Sequence, residues 1–306
     1  MLTVTGLRKE FATVVAVDGV SFQAGTGEVF GLLGPNGAGK TTTIRMILNI
    51  LVPDGGSVTY DGLPFSREIR NRIGYLPEER GLYRKSRLLD TIVYFAGLRG
   101  MKRSAARERA LHWLDRLSLG EYRDRKVEEL SKGNQQKVQF ICAIIHDPSI
   151  VVLDEPFSGL DPVNQILIKE IFQELRTAGK TVVFSTHQME QAERLSDTLC
   201  LINRGRVVLG GTLREVKKRY GANALHAEFS GDGTFMRALP GVRRALLEGH
   251  AAELELEEGA NVQRLIAAIN AGVEISRLAL VEPSLQSIFL QAVGAGDSPA
   301  APGEEP

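Results

Sequence analysis

The stretch Gly34-Pro35-Asn36-Gly37-Ala38-Gly39-Lys40-Thr41 follows the apolar run Val29–Leu33 and precedes a helical pattern over Thr42–Leu51. A strand, a glycine-rich turn and a helix in this order form the context of a phosphate-binding loop. Glycines let successive backbone N–H groups point at one anion, and the helix start adds the positive end of its dipole. We therefore expect Lys40 to reach the outer phosphates of a nucleoside triphosphate and the Thr41 hydroxyl to bind Mg²⁺. Thr42, the next residue, is expected to bind the cofactor as well. The alternative is a glycine turn that matches by chance.

Length and composition indicate a globular protein of two domains. The chain has 306 residues, of which 43% are hydrophobic and 24% are charged, values typical of soluble domains. No run of about 18 apolar residues occurs, which argues against a membrane span, and the strand-like start Met1–Thr5 does not have the pattern of a signal peptide. Cys142 and Cys200 lie in apolar runs and are expected to be buried free thiols in a reducing cytosol. None of the five histidines stands at metal-ligand spacing with a cysteine.

The net charge is zero, but the charge is unevenly distributed. Residues 66–126 contain sixteen Lys and Arg against eight Asp and Glu, whereas residues 221–306 contain five against twelve. This asymmetry indicates two regions with different neighbours. The alternative is that both regions are ordinary solvated helix faces.

Strand and helix patterns alternate along the first two thirds of the chain. Leu2–Phe11 and Val14–Gln23 alternate like antiparallel strands, and residues 88 to about 146 follow a helical period that predicts an all-helical insertion. The remaining alternation predicts a largely parallel α/β sheet, in which ligands bind beyond the carboxyl ends of the strands. Gly34, Asp154 and His187 each follow a predicted strand, so we expect them to converge.

The pair Asp154–Glu155 follows the apolar strand Ile150–Leu153. Asp154 stands where a carboxylate holds Mg²⁺ through water, and Glu155 where a carboxylate orients or deprotonates the attacking water. His187 follows the next strand and is placed to touch the γ-phosphate. The alternatives are a solvent-facing acid pair and a structural histidine.

A second anion site is predicted at Leu130-Ser131-Lys132-Gly133-Asn134-Gln135-Gln136, which precedes a helix. Ser131 is a good N-cap and Gly133 permits close approach of a backbone, so the hydroxyl and the helix start can bind an anion. An ordinary helix cap is the alternative.

Together these motifs resemble the ATP-binding cassette (ABC) ATPases over Leu2 to about Tyr220. Gly34–Thr41 is similar to their Walker A motif, Ile150–Glu155 to Walker B with its catalytic glutamate, and Leu130–Asn134 to their signature motif. The resemblance extends to single positions: His187 as the switch histidine, Asp161 in the D-loop Ser158-Gly159-Leu160-Asp161, and Phe11 as the base-stacking aromatic.

Three positions depart from the family pattern. Lys132 and Asn134 replace the usual Gly and Gln of the signature, and Glu78 stands where the family has the glutamine of the Q-loop. A carboxylate is a ligand that Mg²⁺ prefers, so Glu78 is expected at the metal together with Thr41 and Asp154. The alternative is that Glu78 points away and that Glu79 or solvent takes its place.

The resemblance implies how such a chain works. Two nucleotide-binding subunits, most simply two copies of this chain, face each other head to tail. ATP on one Walker A motif is then covered by Ser131 and Gly133 of the other subunit. A separate integral-membrane permease, docked on the helical insertion and the Glu78 loop, would carry the substrate. The protein is expected at the cytoplasmic face of the membrane, as the peripheral ATPase subunit of an exporter, with ATP and Mg²⁺ as cofactors and without a nucleic-acid partner.

Two rival functions are weighed against this one. A soluble ABC ATPase acting on ribosomes or DNA as an ATP-gated clamp would usually join two cassettes in one chain or insert long coiled coils, and neither feature is present. A binding module that uses ATP as a dimer clamp with negligible turnover would not need Glu155.

The C-terminal part has a different pattern. Residues 221–293 predict the order βαββαβ plus a last helix, which is a small ferredoxin-like α+β domain. Its closing segment, Glu282–Leu290, is similar to the accessory domain of ATPase subunits in the sodium-, drug- and polysaccharide-exporting branch. The predicted domains are thus residues 1–220, with helical residues 88–146, and residues 221–293. Residues 294–306 are rich in Gly, Pro, Ala and acid and are expected to be disordered.

Overall fold

The computed structural model describes residues 1–79, 81–220, 224–257 and 259–296. Within them two compact units form, Met1–Gly210 and the part from Gly211 onward. The strands of the first unit are β1 (Leu2–Phe11), β2 (Val14–Ala24), β3 (Val29–Leu33), β4 (Gly55–Tyr60), β5 (Ile73–Leu76), β6 (Ile150–Asp154), β7 (Thr181–Thr186), β8 (Thr198–Asn203) and β9 (Arg206–Thr212). That the ATPase domain ends at residue 220 stays a prediction.

Two sheets position the phosphate loop. In the described part of the chain, β1 pairs antiparallel with β2 and β4 in the order β2-β1-β4, and a six-stranded sheet has the order β5-β6-β7-β3-β8-β9. The pairs β5–β6, β6–β7, β3–β7 and β3–β8 are parallel. Strands β3, β6 and β7 are buried along their whole length, as expected for a sheet covered on both faces. Their carboxyl ends lie side by side, which brings the loop after β3 next to the residues that follow β6 and β7.

Helices connect and cover these strands. They are α1 (Lys40–Ile47), α2 (Arg67–Asn71), α3 (Leu88–Leu98), α4 (Arg103–Arg116), α5 (Lys132–Ile144), α6 (Pro162–Thr177) and α7 (Met189–Leu195). Helices α3, α4 and α5 lie in the region of the predicted helical insertion, and Asp161 caps α6. The predicted α/β architecture, with a parallel core sheet, an antiparallel sheet and a helical part, is confirmed.

The helix after the phosphate loop is shorter than predicted. It ends at Ile47 rather than Leu51, because the chain turns at Asn49, whose φ is 52°. A left-handed residue cannot continue a right-handed helix. The apolar residues Ile50 and Val52 beyond the turn are exposed, not part of a helical face.

The second unit contains α8 (Leu213–Arg219), β10 (Ala224–Ser230), β11 (Val242–Glu248), β12 (Ala251–Leu256), α9 (Val262–Gly272), β13 (Glu274–Val281) and α10 (Leu285–Gly296). Its described strands pair antiparallel in the order β11-β12-β10-β13, which is the ferredoxin-like order. The predicted helix at Thr234–Leu239 is a 3-10 helix over Thr234–Ala238. Helix α9 buries Leu265 and Ile269 in a separate apolar core with the sheet.

The predicted disordered tail and the two thiols differ partly from expectation. Helix α10 continues to Gly296, three residues into the predicted tail, and residues 297–306 lie outside the described residues, so disorder of the tail stays a prediction. Cys200 is a buried free thiol as predicted, whereas Cys142 is only half-buried.

Candidate functional site

The loop between β3 and α1 lines a cavity of about 190 Å³. Gly34 and Gly39 have φ values of 151° and 105°. A Cβ atom on Gly34 would lie 2.1 Å from the carbonyl oxygen of Ile202, and one on Gly39 would lie 2.4 Å from that of Ala16. Only glycine therefore fits at these two positions. The cavity is lined by Ala16, Asn36, Gly37, Ala38, Gly39, Lys40, Thr41, Thr42, Glu78 and Glu155.

The Lys40 ammonium is held inside this loop. Its Nζ donates to the carbonyl oxygens of Gly34 at 2.8 Å and Pro35 at 3.1 Å, and it lies 3.8 Å from Oε1 of Glu155. Burial lowers the pKa of Lys40, and the neighbouring carboxylates of Glu155 and Asp154 oppose that shift. An ammonium has three donors, so Lys40 has donor capacity left for a phosphate oxygen at the cavity.

Asp154 is a fully buried carboxylate at the end of β6. Burial raises its pKa, the hydroxyls of Ser185, which donates to Oδ1, and of Thr41 lower it, and the neighbouring Glu78 and Glu155 carboxylates raise it further. Within the described residues its second oxygen, Oδ2, is buried without a hydrogen-bond partner. A buried anionic oxygen without a partner is costly, and a cation beside it would remove that cost.

The residues around Asp154 fit a magnesium ion. The Thr41 hydroxyl lies 3.4 Å from Oε2 of Glu78, which lines the same cavity. A hydroxyl and one or two carboxylates, completed by phosphate oxygens and water, are what Mg²⁺ takes in nucleotide sites. Glu79 points elsewhere: its side chain is 88% exposed and 3.9 Å from Arg45. Among the residues that the structure describes, no group of three or more His, Cys, Asp or Glu side chains has the geometry of a metal site.

Glu155 and His187 form a pair beside the loop. Oε1 of Glu155 lies 2.9 Å from Nδ1 of His187, and the Glu155 N–H donates to the Ser185 hydroxyl at 3.1 Å. Glu155 has a φ of 49°, in the left-handed region. Its carboxylate lines the cavity and lies between Lys40 and His187. An oriented carboxylate at this place can accept a proton from a water molecule that approaches a bound phosphate.

Four predicted site residues lie outside this cluster. The Ser131 hydroxyl caps α5 by accepting from the Asn134 N–H at 3.2 Å, and Asp161 caps α6 by accepting from the Asn164 N–H at 2.9 Å. A Cβ atom on Gly133 would lie 3.0 Å from the carbonyl oxygen of Gly159. Phe11 is 46% exposed at the end of β1, with Nζ of Lys9 5.6 Å from its ring centre.

The sequence analysis did not assign three residues that the structure brings to the site. Ala16 lines the cavity from β2, and Ser185 bridges Asp154 and Glu155 from β7. Gln136 is buried on α5 and its amide reaches the backbone that follows β6. Only Ser185 had a local signal, because it is a polar residue at the end of a buried strand next to β6.

The family models and the curated relatives agree with this geometry. Residues 17–158 match the ABC transporter family, and residues 211–293 match the C-terminal domain of DrrA1-3-like ATP-binding proteins. An ABC transporter ATP-binding protein of Bacillus subtilis (strain 168), YhaQ, is 42% identical over 96% of this chain and 99% of its own length. The Nod factor export ATP-binding protein I of Rhizobium sp. (strain N33) is 34% identical over 96% of this chain and 97% of its own length.

Solved structures of ABC cassettes are similar as well. The ATP-binding subunit of an ABC transporter superposes with a TM-score of 0.67 at 26% identity, over 88% of this chain and 99% of that one. A dimeric ABC transporter cassette, MJ0796, superposes with a TM-score of 0.65 at 25% identity, over 70% of this chain and 99% of that one. With the phosphate loop, the strand-end carboxylates and the C-terminal domain in place, the chain belongs to the ATP-binding proteins of ABC transporters.

Proposed function

We propose that the chain binds ATP with Mg²⁺, hydrolyses it, and thereby powers export of a substrate through a separate membrane subunit. The observation that supports hydrolysis most directly is the arrangement around the cavity. Lys40 lies 3.8 Å from Glu155, and Glu155 lies 2.9 Å from His187. These distances support the proposal that a phosphate-binding cation, a base and a histidine act at the same point.

The chemistry assigns each residue a separate task. Glu155 orients a water molecule and accepts its proton while the new bond to the γ-phosphorus forms and the bond to the β-phosphate oxygen breaks, giving ADP and phosphate. His187 holds the Glu155 carboxylate in place and contacts the γ-phosphate. Thr41, Asp154 and Glu78 would hold Mg²⁺, which neutralises charge on the phosphates when bound.

A second nucleotide-binding subunit, most simply another copy of this chain, completes the proposed site. Its Ser131 and Gly133 would cover the triphosphate from the opposite side, where the start of α5 adds the positive end of the helix dipole. Asp161 would lie at the same interface, and Phe11 would stack on the adenine. A dimeric structure of a similar cassette supports this arrangement.

The proposed membrane subunit would dock on the helical insertion. A groove of about 820 Å³ lies along α3, and three of its apolar residues, Tyr83, Tyr94 and Leu98, are more than 45% exposed. A neighbouring groove of about 440 Å³ reaches from Pro77, beside Glu78, to α5. In the described part of the chain no helix is long and apolar enough to cross a membrane, so the transport path would belong to the partner. The similarity to a Nod factor export ATP-binding protein supports export as the direction. We propose that the chain binds peripherally at the cytoplasmic face of the membrane.

A steady-state ATPase assay tests this proposal. The purified chain should hydrolyse ATP in the presence of Mg²⁺, and Lys40→Ala should lose nucleotide binding itself, measured with a fluorescent ATP analogue. Membranes that contain the partner permease should change the rate. A chain that binds ATP without any turnover would contradict the enzymatic part, and a rate independent of such membranes would contradict the transport part.

A further inference from the structure

A buried glutamine of α5 contacts the backbone turn that carries the proposed catalytic base. Gln136 is 3% exposed, and its Nε2 lies 3.3 Å from the carbonyl oxygen of Pro156 and 3.5 Å from that of Glu155. A single amide thus reaches both peptide groups that follow Glu155. The sequence motifs assign no role to this side chain.

The turn at Glu155 needs such support. A non-glycine residue with a φ of 49° is in a sparsely populated conformation that persists only when its surroundings fix it. The Glu155 N–H is fixed from one side by the Ser185 hydroxyl at 3.1 Å. On the other side its carbonyl oxygen accepts from the Ser158 N–H at 3.1 Å and faces Gln136. Strand β7 and helix α5 therefore contact the backbone N–H and the backbone carbonyl of one strained residue, Glu155.

The same helix carries two other connections. Its N-terminal end carries the Ser131 cap and Gly133. One turn after Gln136, the buried Gln139 donates to the carbonyl oxygen of Glu79 at 3.2 Å. Residues three apart lie on one face of a helix. One face of α5 thus contacts both the Glu155 turn and the loop that carries Glu78.

We propose that Gln136 is a positioning residue that holds Glu155 in its working conformation, and that α5 thereby links the base of one ATP site to Ser131 and Gly133, which cover the other site. This inference rests on the proposed function. If the Gln136 amide only fills space, its loss would lower stability without acting through Glu155.

A double-mutant cycle separates these two roles. Gln136→Leu removes the donors at similar volume and should lower kcat about tenfold, the rate equivalent of one lost hydrogen bond, while the Kd for ATP stays within about twofold. In a Glu155→Gln background Gln136→Leu should not change the residual single-turnover rate further, because its effect passes through Glu155. Gln135→Leu is the matched control, since its amide donates to the carbonyls of Val127 and Leu130 instead, and its effect should be the same in both backgrounds.

Two results would overturn the inference: an unchanged kcat in Gln136→Leu, or a loss that multiplies fully with Glu155→Gln. Hydrogen exchange of the Ser158 amide in protein without nucleotide gives a reading that does not depend on ATPase activity. Exchange there should be at least about tenfold faster in Gln136→Leu and unchanged in Gln135→Leu. If the wild-type chain had no turnover, the proposed function would fail, but unchanged exchange at Ser158 would independently refute the role of Gln136.

Discussion

Replacing Asp154 with asparagine should stabilise the protein while removing its metal-dependent activity. Asp154 is fully buried, and Oδ2 has no hydrogen-bond partner among the described residues. Taking an ion out of water costs several kcal/mol after relaxation, and the Ser185 hydrogen bond to a charged oxygen returns about 1.5–3 kcal/mol. Attraction to Lys40 offsets part of the remainder, whereas Glu78 and Glu155 add repulsion. We expect a net stabilisation of about 1–2 kcal/mol in Asp154→Asn.

The pH dependence of this effect has a definite sign. The pKa of Asp154 is raised in the folded protein, mainly by burial, so the carboxylate opposes folding at pH values above that raised pKa. Its penalty shrinks as the pH falls through the raised pKa and disappears below the ordinary pKa of an aspartate. The stability advantage of Asp154→Asn should therefore be largest at neutral pH and vanish in acid.

Thermal unfolding at several pH values measures this directly. Without nucleotide and metal, the Tm of Asp154→Asn should exceed that of the wild type by roughly 2–8 °C at pH 7. Adding Mg²⁺ and ATP should raise the Tm of the wild type but have little effect on the variant. A lower Tm at pH 7, or an advantage that grows in acid, would refute the view that Asp154 is an uncompensated buried charge.

Three further predictions follow from the site and the charge distribution. Glu78→Gln should remain an active ATPase but need about fivefold more Mg²⁺ for half-maximal activity, which corresponds to a loss of about 1 kcal/mol at an exposed site. Glu79→Gln is the control and should not change the magnesium titration. Identical titration curves for both variants and the wild type would remove Glu78 from the metal site. Arg84, Lys85 and Arg87 are three exposed basic residues. Changing all three to glutamate should reduce sedimentation with anionic vesicles, at roughly 1 kcal/mol per charge, and leave ATPase activity in solution intact. A chain truncated at Tyr220 should still bind a fluorescent ATP analogue, and a folded truncation that does not bind would disprove the domain division.

Local sequence patterns predicted the elements that carry the chemistry. The phosphate loop, β6 and β7 were predictable because buried parallel strands are short apolar runs and the turns after them have fixed chemistry. Helix α2, which has only five residues, and the segments after β7 were not predicted. Over so few residues, periodicity does not separate a helix from a turn. The end of α1 was missed because the left-handed turn at Asn49 follows from packing, not from a glycine or proline.

Only the site residues that belong to sequence motifs were predictable. Lys40, Asp154 and Glu155 could be placed from strand ends, since the carboxyl ends of neighbouring parallel strands meet at one edge. Ser185 gave only the weak signal of a polar residue at the end of a buried strand. Gln136 gave none, because its partners are 19 and 20 residues away and are brought near by tertiary packing. The choice between Glu78 and Glu79 also needed coordinates, because adjacent residues in a loop give no periodic signal.

The central claim is that Glu155 is the base of a site completed by a second subunit. Size-exclusion chromatography of Glu155→Gln with and without ATP tests it most directly. Glutamine keeps the shape and the phosphate contacts but cannot accept the proton, so the variant should bind ATP, lose steady-state turnover and elute as a stable dimer only when ATP is present. A Glu155→Gln protein that stays monomeric with ATP and hydrolyses it at the wild-type rate would contradict the account.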